Sequence, residues 1–147
     1  MAPRRKIPVR LRRQVILRAQ SRCEYCLSPE AFSLDTFTID HIHPFADSGS
    51  DGLDNLAFAC HNCNNRKQDD TTAIDLQTQD RVPLFHPRQD RWSDHFQWSE
   101  DTLTIMPLTA IGRATIIRLQ LNRTGAINVR RALLALGEVH PLKAEES

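Results

Sequence analysis

Two Cys-x-x-Cys pairs, Cys23/Cys26 and Cys60/Cys63, account for all four cysteines of this 147-residue chain. Between them runs Ile39-Asp40-His41-Ile42-His43-Pro44, and Asn64 directly follows the last cysteine. Each pair presents two sulfurs from one tight turn. Two such knuckles complete a tetrahedral four-thiolate shell with no open position, the arrangement of a structural zinc rather than a catalytic one. The 33 residues between Cys26 and Cys60 exceed the roughly 15–20 of a simple zinc ribbon, so something is inserted there. Asp40 brings a hard carboxylate and His41 a base that works near neutral pH. Asn64 adds a carbonyl oxygen, another hard ligand. Lys67 lies one helical turn beyond Asn64 with Arg66 beside it, and two cations suit a phosphate. Each residue alone has a plainer reading: a redox Cys-x-x-Cys, a surface Asp-His pair, a helix cap, a solvated lysine. Together, inside one cysteine frame, they read as a single site. His61 sits inside the second knuckle, where four sulfurs leave it no ligand role, and an exposed position is expected.

The elements that must position these groups follow from patterning. Pro8 suits the start of a helix, and Leu11, Val15 and Ala19 form one apolar stripe widened by Ile16. Arg10, Arg12, Arg13 and Arg18 cover the other faces. Phe37 to His41 reads as a strand rich in β-formers, broken by Pro44. Residues 47–52, Asp-Ser-Gly-Ser-Asp-Gly, form a turn cluster. Leu53 to Ala59 returns as a second strand, and a helix opens at His61 and fades at Asp69-Asp70. Residues 71–92 look like an irregular linker with Pro83 and Pro87. Trp92, Phe96 and Trp98 form an aromatic cluster that serves packing in preference to base stacking. Thr109 is expected to cap a helix through Leu121, and Asn128 a final helix through Leu136 closed by Gly137. The expected organisation is a basic helix plus catalytic core over 1–70 and an extension over 71–147 packed on it as one compact unit.

Composition bounds the class. No stretch approaches the ~18 consecutive apolar residues of a membrane span, and the basic N-terminus is followed by no apolar segment of the kind a secretory signal has. A cytoplasmic setting, where thiols bind metal rather than pair as disulfides, is expected. The net charge of +1 hides an asymmetry: residues 1–22 hold eight Lys/Arg and no Asp/Glu, whereas 23–112 hold five Lys/Arg and fifteen Asp/Glu. A basic arm beside an acidic middle points to a polyanionic partner and a cation at the acidic site.

Over roughly residues 20–70 the sequence resembles the HNH endonucleases. The resemblance is carried by Arg22-Cys23-Glu24-Tyr25-Cys26, Asp40-His41-Ile42-His43-Pro44, Leu53-Asp54-Asn55-Leu56 and Cys60-His61-Asn62-Cys63-Asn64-Asn65-Arg66-Lys67. It implies an α+β fold with a ββα-metal core, zinc knuckles, a basic N-terminal helix and a mostly helical C-terminal extension. It implies His41 as the general base that activates water, and Asp40 and Asn64 as holders of one divalent cation. Asn55 would pin the loop backbone between the strands and so orient His41. Lys67 or Arg66 would help to neutralise the phosphate. His43, expected on the face of His41, contacts phosphate, assists the metal shell or anchors the loop beside Pro44.

The oxygen donors Asp40 and Asn64 suit Mg2+, or Mn2+ as a looser substitute, at the catalytic position, with Zn2+ confined to the four cysteines. The expected partner is DNA, with RNA left open. Arg10 and Arg13 on the first helix would clamp the phosphate backbone without reading sequence. Two rivals stand beside a metal-dependent endonuclease: a non-catalytic zinc-stabilised module that binds nucleic acid, and a Cys-x-x-Cys thiol oxidoreductase, which lacks its usual βαβ context.

Overall fold

The computed structural model describes residues 7–44 and 51–141. The basic N-terminal hexapeptide and most of the expected turn cluster at 47–52 lie outside the described residues. Helix α1 spans Val9–Arg18, with Pro8 just ahead of it as the cap residue. Its stripe holds: Val15 is fully buried and Ala19 nearly so. Two arginines of α1 reach inward instead of outward. Arg12 donates to the carbonyl of Phe37 at 3.1 Å, and Arg18 to those of Leu53 and Leu56 at 2.9 and 2.6 Å. They fix the helix across both ends of the strand pair that follows.

Strand β1 (Thr38–His41) pairs antiparallel with β2 (Leu56–Ala59), with Asp40 opposite Ala57 and His41 opposite Leu56. A turn of 3-10 helix at Leu53–Asn55 leads into β2. All four β2 residues are buried, because α1 covers one side and the first cysteine knuckle the other. Glu24 closes that side, its N–H donating to Phe58 O at 2.8 Å and its carboxylate accepting from Phe58 N at 2.8 Å. Helix α2 (His61–Lys67) starts on Cys60, whose sulfur accepts from the N–H of Cys63. The order β1, loop, β2, α2 is the expected ββα unit.

The extension departs from the expected irregular linker. Strands β3 (Thr72–Ile74) and β4 (Arg81–Pro83) form a hairpin, and a second pairs β5 (Phe96–Trp98) with β6 (Ile105–Pro107). Helix α3 (Trp92–His95) is a single turn, and α4 (Ala110–Leu119) is capped by Thr109 accepting from the N–H of Gly112 at 3.0 Å. Helix α5 runs Thr124–Ala135 and starts earlier than expected, with Arg123 as the cap residue. Asn128 therefore lies inside it. Gly137, at φ +70°, closes α5. Its N–H reaches Leu134 O and that of Glu138 reaches Leu133 O, the paired bonds of a left-handed helix stop. One apolar cluster contains Val15, Cys23, Tyr25 and Phe58 together with Phe85, Phe96, Ile105, Leu119 and Leu121. The extension and the ββα unit thus share a core.

Candidate active site and metal centre

The four cysteine sulfurs are buried and lie within 4.8 Å of one another. Sulfurs about 2.3 Å from a tetrahedral zinc stand about 3.8 Å apart, and Cys26 and Cys60 are separated by 3.8 Å. The N–H groups of Cys26 and Cys63 point at Cys23 and Cys60 sulfur at 3.5 and 3.4 Å, which turns each knuckle's backbone toward the negative charge. The set fits a structural zinc. Sequence reasoning missed the residue that covers it. Arg123, between α4 and α5, reaches the sulfurs of Cys63, Cys26 and Cys60 at 3.8, 3.8 and 3.4 Å. Four thiolates on one divalent ion leave two negative charges, and a guanidinium on that face offsets one. Hydrogen bonding from Cys23 and the neighbouring sulfurs, with Arg123 adding to it, pulls the Cys26 thiol well below its usual range.

Successive residues of a strand face opposite ways, and Asp40 and His41 obey this. Asp40 points inward and is 4% exposed. Its Oδ2 accepts from the Tyr25 hydroxyl at 2.7 Å and stands 3.4 Å from Lys67 Nζ. Burial raises its carboxyl above the ordinary range, while Lys67 and Tyr25 oppose that shift. Lys67 overturns its expected place at the phosphate. It is 1% exposed, and its ammonium is held by Asp40 and by the carbonyl of Ile42 at 3.1 Å. A cation so enclosed orients the Asp40 carboxylate and does not face solvent. The i+3 spacing on α2 puts half-buried Asn64 one turn before Lys67, on the side of the helix that meets β1.

His41 faces the other way and is half-buried. Its Nε2 is 2.8 Å from Asp51 Oδ1. An ionised carboxylate only accepts, so Nε2 carries a proton, and the neutral form of the ring keeps its lone pair on Nδ1. Asp51 was visible in the sequence only as part of a turn cluster. Asn55 is buried, and its side-chain amide makes two bonds to one residue: Oδ1 accepts from His43 N at 2.9 Å, and Nδ2 donates to His43 O at 3.0 Å. The N–H of Ile42 also donates to Asn55 O at 2.9 Å. The backbone just past His41 is therefore held at three points. The imidazole of His43 is exposed and lies 5.6 Å from that of His86.

The remaining expected residues are more scattered. Arg66 on α2 is half-buried, and its Nε has no partner among the described residues. Arg10 and Arg13 are exposed on α1, and His61 is exposed at the start of α2. No helix among the described residues is long and apolar enough to cross a membrane.

A strand pair and helix held by a four-cysteine knuckle set, with an Asp-His step at the strand end, define a ββα-metal module. Residues 23–70 match the family model described as HNH endonuclease. The match spans 48 of the chain's 147 residues and includes both cysteine knuckles, β1, β2 and α2. No curated protein and no solved structure matches the chain.

Proposed function

We propose that the protein is a metal-dependent endonuclease that hydrolyses phosphodiester bonds of DNA. The observation that carries this reading is the clamp on His41. Asp51 takes its Nε2–H while Asn55 fixes the backbone two residues on. A binding module has no need of a histidine whose tautomer and position are both set. His41 Nδ1 is the general base for the attacking water, and Asp51 stabilises the imidazolium that forms. Asp40 and Asn64 would hold one divalent cation. Oδ2 of Asp40 is already engaged, so Oδ1 and the Asn64 amide oxygen form the donor set, and two oxygen donors fit Mg2+ or Mn2+. When bound, such a cation supplies charge stabilisation at the phosphoryl and leaving oxygens. Lys67 and Tyr25 keep the Asp40 carboxylate aimed, and Arg66, Arg10 and Arg13 contribute positive charge to the phosphates. Residues 1–70 would form the catalytic part and 71–147 a support packed on it, in a cytoplasmic protein.

Supercoiled plasmid incubated with Mg2+, Mn2+, Zn2+ or EDTA tests the proposal. Nicking is expected with Mg2+ and Mn2+, and not with Zn2+ or EDTA. His41→Ala should lower the rate by about 10²–10⁴. Metal-independent nicking, or equal rates in His41→Ala, would sink the assignment. Tight DNA binding without cleavage under any of these ions would favour the non-catalytic zinc module instead.

A further inference from the structure

Withdrawal of Lys67 into the interior removes one cation from the substrate side, and the extension supplies a group beside that gap. His86 lies outside the matched segment, between β4 and α3. Its own N–H donates to Asp90 Oδ2 at 2.9 Å, and its Nδ1 accepts from the N–H groups of Arg88 and Gln89 at 3.2 Å each. A ring nitrogen that accepts two N–H groups carries no proton, so the neutral ring is protonated on Nε2. The turn therefore fixes which edge of the ring donates. Its Nε2–H makes no hydrogen bond among the described residues and is not one of their buried unpaired polar atoms, so this edge opens to solvent although the residue as a whole is only 9% exposed. A donor fixed in direction by its turn and open on one side is placed to meet an acceptor that a ligand brings.

The surroundings say which ligand. The ring stands 5.6 Å from exposed His43, whose backbone Asn55 pins. The preceding residue, Phe85, meets Tyr25 edge-on at 6.5 Å, and the Tyr25 hydroxyl donates to Asp40. Phe85 is itself tied down by its N–H to Thr115 Oγ1 at 2.9 Å. A rigid path thus joins His86 to the metal-side carboxylate. We propose that His86 binds substrate: its Nε2–H, beside His43, donates to a phosphate oxygen of the nucleic acid. A phosphate oxygen only accepts, which matches an edge that only donates. This inference rests on the nuclease reading for its substrate.

His86→Asn in the full-length protein is the test. An asparagine Oδ1 occupies the place of Nδ1 and accepts the same two N–H groups as an Asx turn, while the Nε2–H is lost. The melting temperature should stay near that of the unsubstituted protein. With Mg2+, kcat/KM for plasmid nicking should fall about 10-fold or more, the loss expected of a hydrogen bond to a charged group. Binding of a labelled duplex, read by anisotropy in EDTA in a His41→Ala background, should weaken about 5–10-fold. His86→Gln, which returns an N–H near the position of Nε2, should recover part of that binding. Unchanged binding and cleavage in a stably folded His86→Asn, or equal loss in the Asn and Gln variants, overturns the proposal. If the unsubstituted protein cleaves nothing, the nuclease reading falls by itself. The binding comparison still decides whether His86 holds a phosphate.

Discussion

In residues 23–70 the buried polar groups converge. Asp40, Lys67 and Asn55 gather at one end of the β1–β2 pair, with the Tyr25 hydroxyl, Ile42 O and the backbone of His43 as their partners. In residues 71–141 they are dispersed. Asp75 takes a two-pronged pair from Arg113 at 2.9 and 2.9 Å under the β3–β4 turn. Arg130, 2% exposed, donates to Leu103 O, Asn122 Oδ1 and Leu121 O while its guanidinium lies 5.1 Å from the Trp98 ring. Polar burial in the first region fixes the Asp40 side chain and the backbone just past His41. In the second it locks loops to helices. The contrast breaks down at the contacts where the extension reaches across: Arg123 at the sulfurs, Phe85 at Tyr25, Arg88 at Glu24 and His86 at His43. Each is a feature of the second region packed against the sulfur cluster or the proposed site of the first. The extension therefore bears on that proposed site through position.

The largest test of that view is removal of the zinc. Binding of a structural zinc by four thiolates is worth on the order of 10–16 kcal/mol and serves as folding energy. Chelation, or Cys60→Ser, is expected to unfold the molecule. Both tryptophans, Trp92 and Trp98, belong to the extension, so their fluorescence reports the second region and helical circular dichroism the whole. Because Phe85, Phe96 and Leu121 share a core with Cys23 and Cys26, the two signals should be lost together. Native tryptophan emission surviving in metal-free protein would show that the extension folds alone, and the coupling argued above would fail.

What the sequence showed and what it hid divides along the same line. The knuckles, the strand ending in Asp40-His41 and the helix from His61 were legible because fixed spacing carries them. The stripe Leu11, Val15, Ala19 and the Thr109 cap were legible because helix periodicity and capping are local. Lys67 was misplaced because an i+3 relation to Asn64 gives the face of a helix but not the depth of burial. The β3–β4 hairpin was hidden because its strands are three residues long, and its turn adds side-chain closure to two backbone bonds, with Thr78 Oγ1 donating to Asp75 Oδ2 at 2.8 Å. The start of α5 was missed because Gly125 read as a turn, yet it lies in the first helical turn, where an added Cβ would meet nothing within 4 Å outside the helix itself. Asp51, Arg123 and His86 carry no motif. Their roles come from partners 10, 60 and 2 residues away in sequence, and no pattern short of the fold specifies those pairings.

Arg123 gives the second test, of intermediate size. Groups that contact metal ligands from outside typically alter metal affinity by 10–100-fold when removed. Arg123→Met keeps much of the side-chain bulk and discards the charge and the N–H groups facing three sulfurs. Zinc affinity, measured by competition with a chromophoric chelator, should fall by about that factor, while the zinc-loaded variant keeps its circular dichroism. An unchanged affinity would mean that the sulfurs do not depend on the extension for charge balance.

The smallest effect should come from an arginine that also bridges the two regions. Arg118 on α4 pairs with Asp70 just beyond α2 at 2.7 Å, with the two side chains 31% and 55% exposed. Water and salt screen such a pair, and its contribution is about 0.2–1 kcal/mol. Arg118→Gln should therefore lower the melting temperature by no more than about 3 °C. That difference should shrink as ionic strength rises, because the Debye length contracts to about 3 Å at 1 M salt. Zinc affinity should not move. Arg118 and Arg123 lie five positions apart in sequence and both reach toward residues 23–70, so distance along the chain does not separate them. Desolvation does: one guanidinium remains in water, and the other is packed against buried sulfurs. If Arg118→Gln weakened zinc binding as much as Arg123→Met, net charge near the cluster would be the operative variable, and the direct contacts of Arg123 would lose their special role.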